Sequence, residues 1–144
     1  MTALPGSEIA AEQGSNTITG SQVTNAGTIG AEGANLTIVG NVNNHNGNLD
    51  ANNATLVVDG TVKGGTATIE GTGEIEFGGP SSAQVTFDPN ADAILKLDQP
   101  QGFTGTVSGL TTGDYIDLTK PTPVMSRGSQ TTSSSPAQLA PSQR

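Results

Sequence analysis

Apolar residues spaced two apart return along this chain about every 20 positions. Leu36/Ile38, Leu56/Val58, Ile75/Phe77, Leu95/Leu97 and Ile116/Leu118 advance by 20, 19, 20 and 21 residues. A second apolar series, Ile9, Ile29, Leu49, Ile69, Phe87 and Val107, advances by 20, 20, 20, 18 and 20. Gly20, Gly40, Gly60 and Gly79 follow the first series at the same period. A fixed period of this length marks a stack of repeats. Inside each repeat the alternation is in-out-in, as in Leu56-Val57-Val58 and Ile75-Glu76-Phe77, which is the period of a strand. No segment holds a helical period over two turns, and the abundance of Gly, Asn and Thr disfavours helix. Each run ends in Gly, Asn or Asp, so the strands are short and the corners tight.

Strands that recur once per repeat bury their apolar side only by stacking like on like. The predicted fold is therefore all-β: a single-stranded parallel β-solenoid, about 20 residues per coil and about five and a half coils, over residues 8–118. The crossover preference of parallel strands predicts a right-handed β-helix. Hexapeptide helices need steps in multiples of six, and leucine-rich and calcium-binding nonapeptide repeats need motifs this chain lacks. Residues 1–7 read as an N-terminal flank. Residues 119–144, rich in Pro, Ser, Thr and Gln, have too little apolar surface to offset the entropy of ordering and read as a disordered tail. Asn16 stands where later coils place Leu36 and Leu56, so the first rung is expected to be weak.

Only 32% of the 144 residues are apolar and four are aromatic, a thin core for a globule but enough for a narrow coil stack. Residues 1–118 hold all 13 acids against Lys63 and Lys96, a charge of −11. Such a polyanionic rod is not expected to bind nucleic acid or anionic membrane, and it attracts cations. The absence of cysteine excludes disulfides and thiolate chemistry. No apolar run is long enough to insert into a bilayer. Residues 1–14 lack the basic and apolar regions of a signal peptide. A chain of this kind is expected to be cytosolic, exported by another route, or part of a longer exported protein; the partial last coil favours the third.

Asn35-Leu-Thr-Ile-Val-Gly40, Thr55-Leu-Val-Val-Asp-Gly-Thr-Val62, Thr66-Ala-Thr-Ile-Glu-Gly-Thr-Gly-Glu-Ile-Glu-Phe-Gly-Gly79, Ile94-Leu-Lys-Leu-Asp98, Gly102-Phe-Thr-Gly-Thr-Val-Ser-Gly109 and Gly113-Asp-Tyr-Ile-Asp-Leu-Thr119 resemble the β-strand-repeat proteins exported by Gram-negative bacteria. Autotransporter passenger domains and filamentous-haemagglutinin-like adhesins are of this style. The resemblance covers residues 8–119. It implies a secreted or cell-surface stalk or adhesive surface, non-enzymatic, with host-cell, carbohydrate or matrix partners and no cofactor.

Candidate chemistry is sparse. His45, the lone histidine, lies in Asn43-Asn-His-Asn-Gly47 between strands with no second histidine or nucleophile motif beside it, and reads as a solvated turn residue. Asp50, Glu70 and Asp88 follow the second apolar series in consecutive coils and are expected to form an acidic column. Like charges on neighbouring strands repel, and Ca²⁺ would relieve this, so the three are candidate metal ligands; solvation and screening are the plainer alternative. Thr28, Asn48, Thr68, Thr86 and Thr106 read as another column. Its partners Gly30, Asp50, Glu70, Asp88 and Ser108 do not supply the paired Thr of an ice-binding plane. Val23-Thr-Asn25 and Val42-Asn-Asn44 suggest a stacked Asn pair at a corner. Asn35-Leu-Thr37 and Asn53-Ala-Thr55 match the glycosylation sequon, as chance allows in such a composition. Glu76, Lys96 and Asp117 are expected to stack outward as an acid-base-acid ladder. A carbohydrate-active β-helix such as a lyase would need convergent acids beside a base, and the coils hold only two lysines. Unpaired end rungs predict end-to-end self-association or frayed terminal coils.

Overall fold

Inward residues at i and i+2 can be buried in a solenoid only if each strand lies on its equivalent one coil earlier. The computed structural model, which describes residues 1–118, has that arrangement throughout. Three ladders of parallel strands make the three sides of the coil. The first side stacks β3 (Ser15–Asn25), β5 (Asn35–Asn43), β7 (Thr55–Val58), β10 (Glu74–Phe77), β12 (Ile94–Leu97) and β14 (Tyr115–Asp117). The second stacks β2 (Glu8–Ala11), β4 (Thr28–Glu32), β6 (Asn48–Asn52), β9 (Thr66–Glu70), β11 (Gln84–Phe87) and β13 (Thr106–Ser108). The third is narrow: β1 (Thr2–Ala3), the second halves of β3 and β5, β8 (Val62–Lys63), and single bridges at Ser81 and Phe103. The residues ahead of the first expected coil thus join the stack through β1. Residues 119–144, expected to be a disordered tail, lie outside the described residues.

The first apolar series is in register as read. Leu36, Leu56, Ile75, Leu95 and Ile116 oppose one another in turn, as do Ile38, Val58, Phe77 and Leu97. From Leu36 to Leu97 these side chains are buried. Each contributes roughly 1.5–3 kcal/mol by leaving water. Asn16 opposes Leu36 and stays exposed, its amide turned back onto the Gln13 carbonyl at 2.9 Å. In this column the first rung buries no apolar side chain.

The second apolar series is realigned. Leu49 opposes Ala67 and Ala51 opposes Ile69, so the step into β9 is 18 residues where the sequence reading took 20. The side has two inward columns, and they exchange size: Ile29/Ala31 and Leu49/Ala51 give way to Ala67/Ile69 and Val85/Phe87. Each coil keeps one large and one smaller residue, and close packing fixes that sum more tightly than it fixes which column holds the large one. Following the large residue alone therefore slides the alignment by two. The lost residues return between Val85 and Val107, a 22-residue coil that includes a 3₁₀ turn at Pro100–Gly102.

The corners are set by close backbone approach and by amides. A side chain on Gly40, at φ 140°, would fall on the Gly20 carbonyl, and one on Gly79 would come within 2.7 Å of the Gly60 oxygen. From Gly40 through Gly60 to Gly79 the glycine column is a steric requirement of coil-on-coil contact. At the corner between the third and second sides, Asn25 and Asn44 are fully buried. The Asn25 Nδ2 donates to Asn44 Oδ1 at 2.8 Å and to the Asn48 carbonyl at 2.9 Å; the Asn44 Nδ2 donates to the Thr66 carbonyl at 2.9 Å. This is the expected Asn pair. It ends where Gly64 follows Lys63 and the amide partner is lost, and at Ala83 the backbone N–H is taken up by Ser81 Oγ instead.

Candidate functional site

The second side presents its outward residues as three vertical columns. Glu8, Thr28, Asn48, Thr66, Gln84 and Thr106 form the first. Gly30, Asp50, Thr68, Thr86 and Ser108 form the second. Glu32, Asn52 and Glu70 form the third, with Asp88 directly after the residue that opposes Ile69. Hydroxyls and amides tie the columns together. Thr66 and Thr68 both donate to Asn48 Oδ1, at 2.8 and 3.2 Å. The Thr86 and Ser108 hydroxyls lie 3.4 Å apart.

This register separates the three candidate metal ligands. Glu70 and Asp88 are neighbours in one column, whereas Asp50 opposes Thr68 and Gly30 two residues away along the strand. The 18-residue step is the cause. Among the described residues no cluster of three or more His, Asp or Glu side chains has the spacing to hold a metal ion. The acids still feel one another. Burial, then the charges of Glu70, Glu32 and Glu8, push the Asp50 carboxyl up to about 6. The expected Thr column divides likewise. Paired hydroxyls stand at Thr66/Thr68 and Thr106/Ser108, but Gln84/Thr86, Asn48/Asp50 and Thr28/Gly30 interrupt them.

Beside the first column a shallow groove of about 630 Å³ runs along the stack. Gly27, Gly47 and Gly65 line it, with Glu8, Thr28, Asn48, Thr66 and Gln84 along one side and His45 and Asn46 along the other. The glycines are there because the chain crosses the coil beneath closely. A side chain on Gly27 would strike the Ser7 carbonyl, and those on Gly47 and Gly65 would strike Asn25 and Asn44. His45 is exposed in its turn, which Asn43 Oδ1 closes by accepting the His45 N–H at 3.2 Å. The groove was not read from the sequence. Its signal was available in Gly27, Gly47 and Gly65, whose steps of 20 and 18 carry the true register.

The first side carries the expected charge ladder. Lys96 opposes Glu76 on one neighbouring strand and Asp117 on the other. Its Nζ lies 3.8 Å from Glu76 Oε1. Burial and a hydrogen bond with Asp98 raise the Glu76 carboxyl above its usual range, and the Lys96 charge opposes that rise. At the last corner Asp114 accepts the Ala93 N–H at 2.9 Å and the Thr111 N–H at 2.8 Å. The Ala93 bond, then those from Thr111, hold the Asp114 carboxyl below its usual range.

Comparison with protein-family models, curated proteins and solved structures finds no match to this chain.

Proposed function

We propose that this solenoid is a non-enzymatic structural or adhesive segment of a secreted or cell-surface protein, of the β-strand-repeat style exported by Gram-negative bacteria. One observation carries the reading: the second side offers in-register polar columns over six strands, with a groove running beside them across successive coils. An array of hydroxyls, amides and carboxylates repeating at the strand spacing, about 4.8 Å, suits a long polar surface or polymer better than a small substrate. The acids along it favour neutral or cationic partners over anionic ones. The −11 charge of residues 1–118 keeps such a rod soluble.

The test is binding of the purified chain to immobilised neutral polysaccharides and matrix proteins. Gln84→Trp, at an exposed position that lines the groove, is expected to keep the far-ultraviolet spectrum and weaken retention severalfold. Retention that survives Gln84→Trp and His45→Ala together would move the contact off this side. Turnover of polyuronates would replace the reading with a lyase. A second reading, cation association, is favoured by the crowding of Glu8, Glu32 and Glu70 around Asp50. It requires calcium to raise the thermal transition, and an unchanged transition removes it.

A further inference from the structure

The two ends of the stack are complementary, column by column. Among the described residues β13 and β14 pair only inward, with β11 and β12, and β2 pairs only with β4. The first half of β3 pairs only with β5. Ile116 and Leu118, whose equivalents one coil earlier, Leu95 and Leu97, are buried, are 39% and 51% exposed, and Met1 at the other end is 46% exposed. Lay the first coil of a second copy on the last coil of this one and continue the register. Val107 then meets Ile9, Leu118 meets Ile18, and Phe103 meets Met1, so three inward columns stay apolar across the junction. Outward, Asp117 meets Thr17, Ser108 meets Ala10 and Thr106 meets Glu8, so no like charges are opposed. The one inward mismatch is Ile116 on Asn16, and that amide is already engaged by Gln13.

We propose that copies of this chain associate head to tail, the last coil of one against the first coil of the next, extending one continuous solenoid. On this proposal the edge that each terminal coil leaves unpaired among the described residues is covered by the opposite end of another copy. Joining an end to its own kind instead runs the strands antiparallel across the seam and brings Asp114 and Asp117 towards the same acids of the second copy. A head-to-tail contact does not close on itself and so makes filaments. The Asn16 mismatch keeps each junction weak and the assembly reversible. This inference concerns the ends of the rod and stands whether or not its faces bind a ligand.

The chain has no cysteine, so single thiols report the junction cleanly. Thr17→Cys and Asp117→Cys sit on exposed, outward positions where folding is little disturbed. Adjacent strands place such pairs within disulfide reach. The two full-length variants, mixed in equal amounts and oxidised gently, are expected to give more mixed disulfide than both homodimers together. The unmodified chain is expected to show a weight-average mass in sedimentation that rises with concentration. Predominant 117–117 or 17–17 disulfide would overturn the polarity. A monomeric mass at every concentration, with no mixed disulfide, would overturn the association itself, as when another segment covers an end.

Discussion

Asp50 lies half-buried on the outer side of β6, surrounded by carboxylates, with no lysine or arginine among the described residues of that side of the coil. Its carboxyl rises from 3.8 to about 6 on folding, so the folded chain binds more protons than the unfolded chain between those values. Stability contributed by this group therefore falls as pH rises from about 4 to about 6, and at neutral pH the ionised Asp50 is a net cost. The full shift corresponds to about 3 kcal/mol, and partial exposure with screening reduces it to about 1 kcal/mol. Asp50→Asn is expected to raise the thermal transition at pH 7, leave it unchanged near pH 4, and flatten the stability profile between. Denaturant titration at several pH values checks this; a variant no more stable than the parent at pH 7 would dismiss the charge-crowding account. The acids were legible in the sequence as individuals, but the neighbours of each were not. Asp50 looked stacked on Glu70 because Leu49 looked stacked on Ile69, and one slip of two residues misplaces an entire outward column.

At the level of the strand, legibility followed side-chain size. On the first side every coil after the first has two sizeable apolar residues in the inward columns, so Leu56/Val58, Ile75/Phe77 and Leu95/Leu97 admit only one alignment. On the second side the large residue is paired with Ala from β2 to β9 and changes column at β9, and the register is followed instead by the glycines and by the total volume of each pair. The correct first-side alignment makes the β10–β12–β14 ladder a sharp test. Lys96 stands between Glu76 and Asp117, and Asp98 adds a third acid beside Glu76. Lys96→Glu removes one attraction and introduces several repulsions among partly exposed side chains, a loss of about 1 kcal/mol at low salt. Raising the salt to 1 M, where the screening length is about 3 Å, should recover most of it. Thermal unfolding of both chains at low and high salt measures the difference. An equal difference at both salts would mean that packing of the lysine stem, and not charge, is what the substitution disturbs.

As a whole the molecule is a one-dimensional stack, and its coils differ in how many neighbours support them. Leu56 is buried between Leu36 and Ile75, with two coils on one side of it and three on the other. Leu56→Asp places an unpaired charge there and should cost about 4 kcal/mol, lowering the transition of the entire rod. The C-terminal corner is the opposite case. Asp114 holds the last coil down by accepting the Ala93 and Thr111 N–H groups, and its lowered pKa means that this hold is complete above about 4 and is lost as pH falls through the folded value. Asp114→Ala is therefore expected to speed amide exchange at Ala93, Thr111 and along β14, leaving β6, β7, β9 and β10 protected as before and the global transition nearly unmoved. Acidification of the parent chain should produce the same local pattern. The pair of substitutions separates two pictures of the rod. If nearest-neighbour contacts dominate, Leu56→Asp is global and Asp114→Ala is local. If Asp114→Ala instead strips protection from the central strands to the same degree, the six coils open as one unit and the last corner is part of what holds the first.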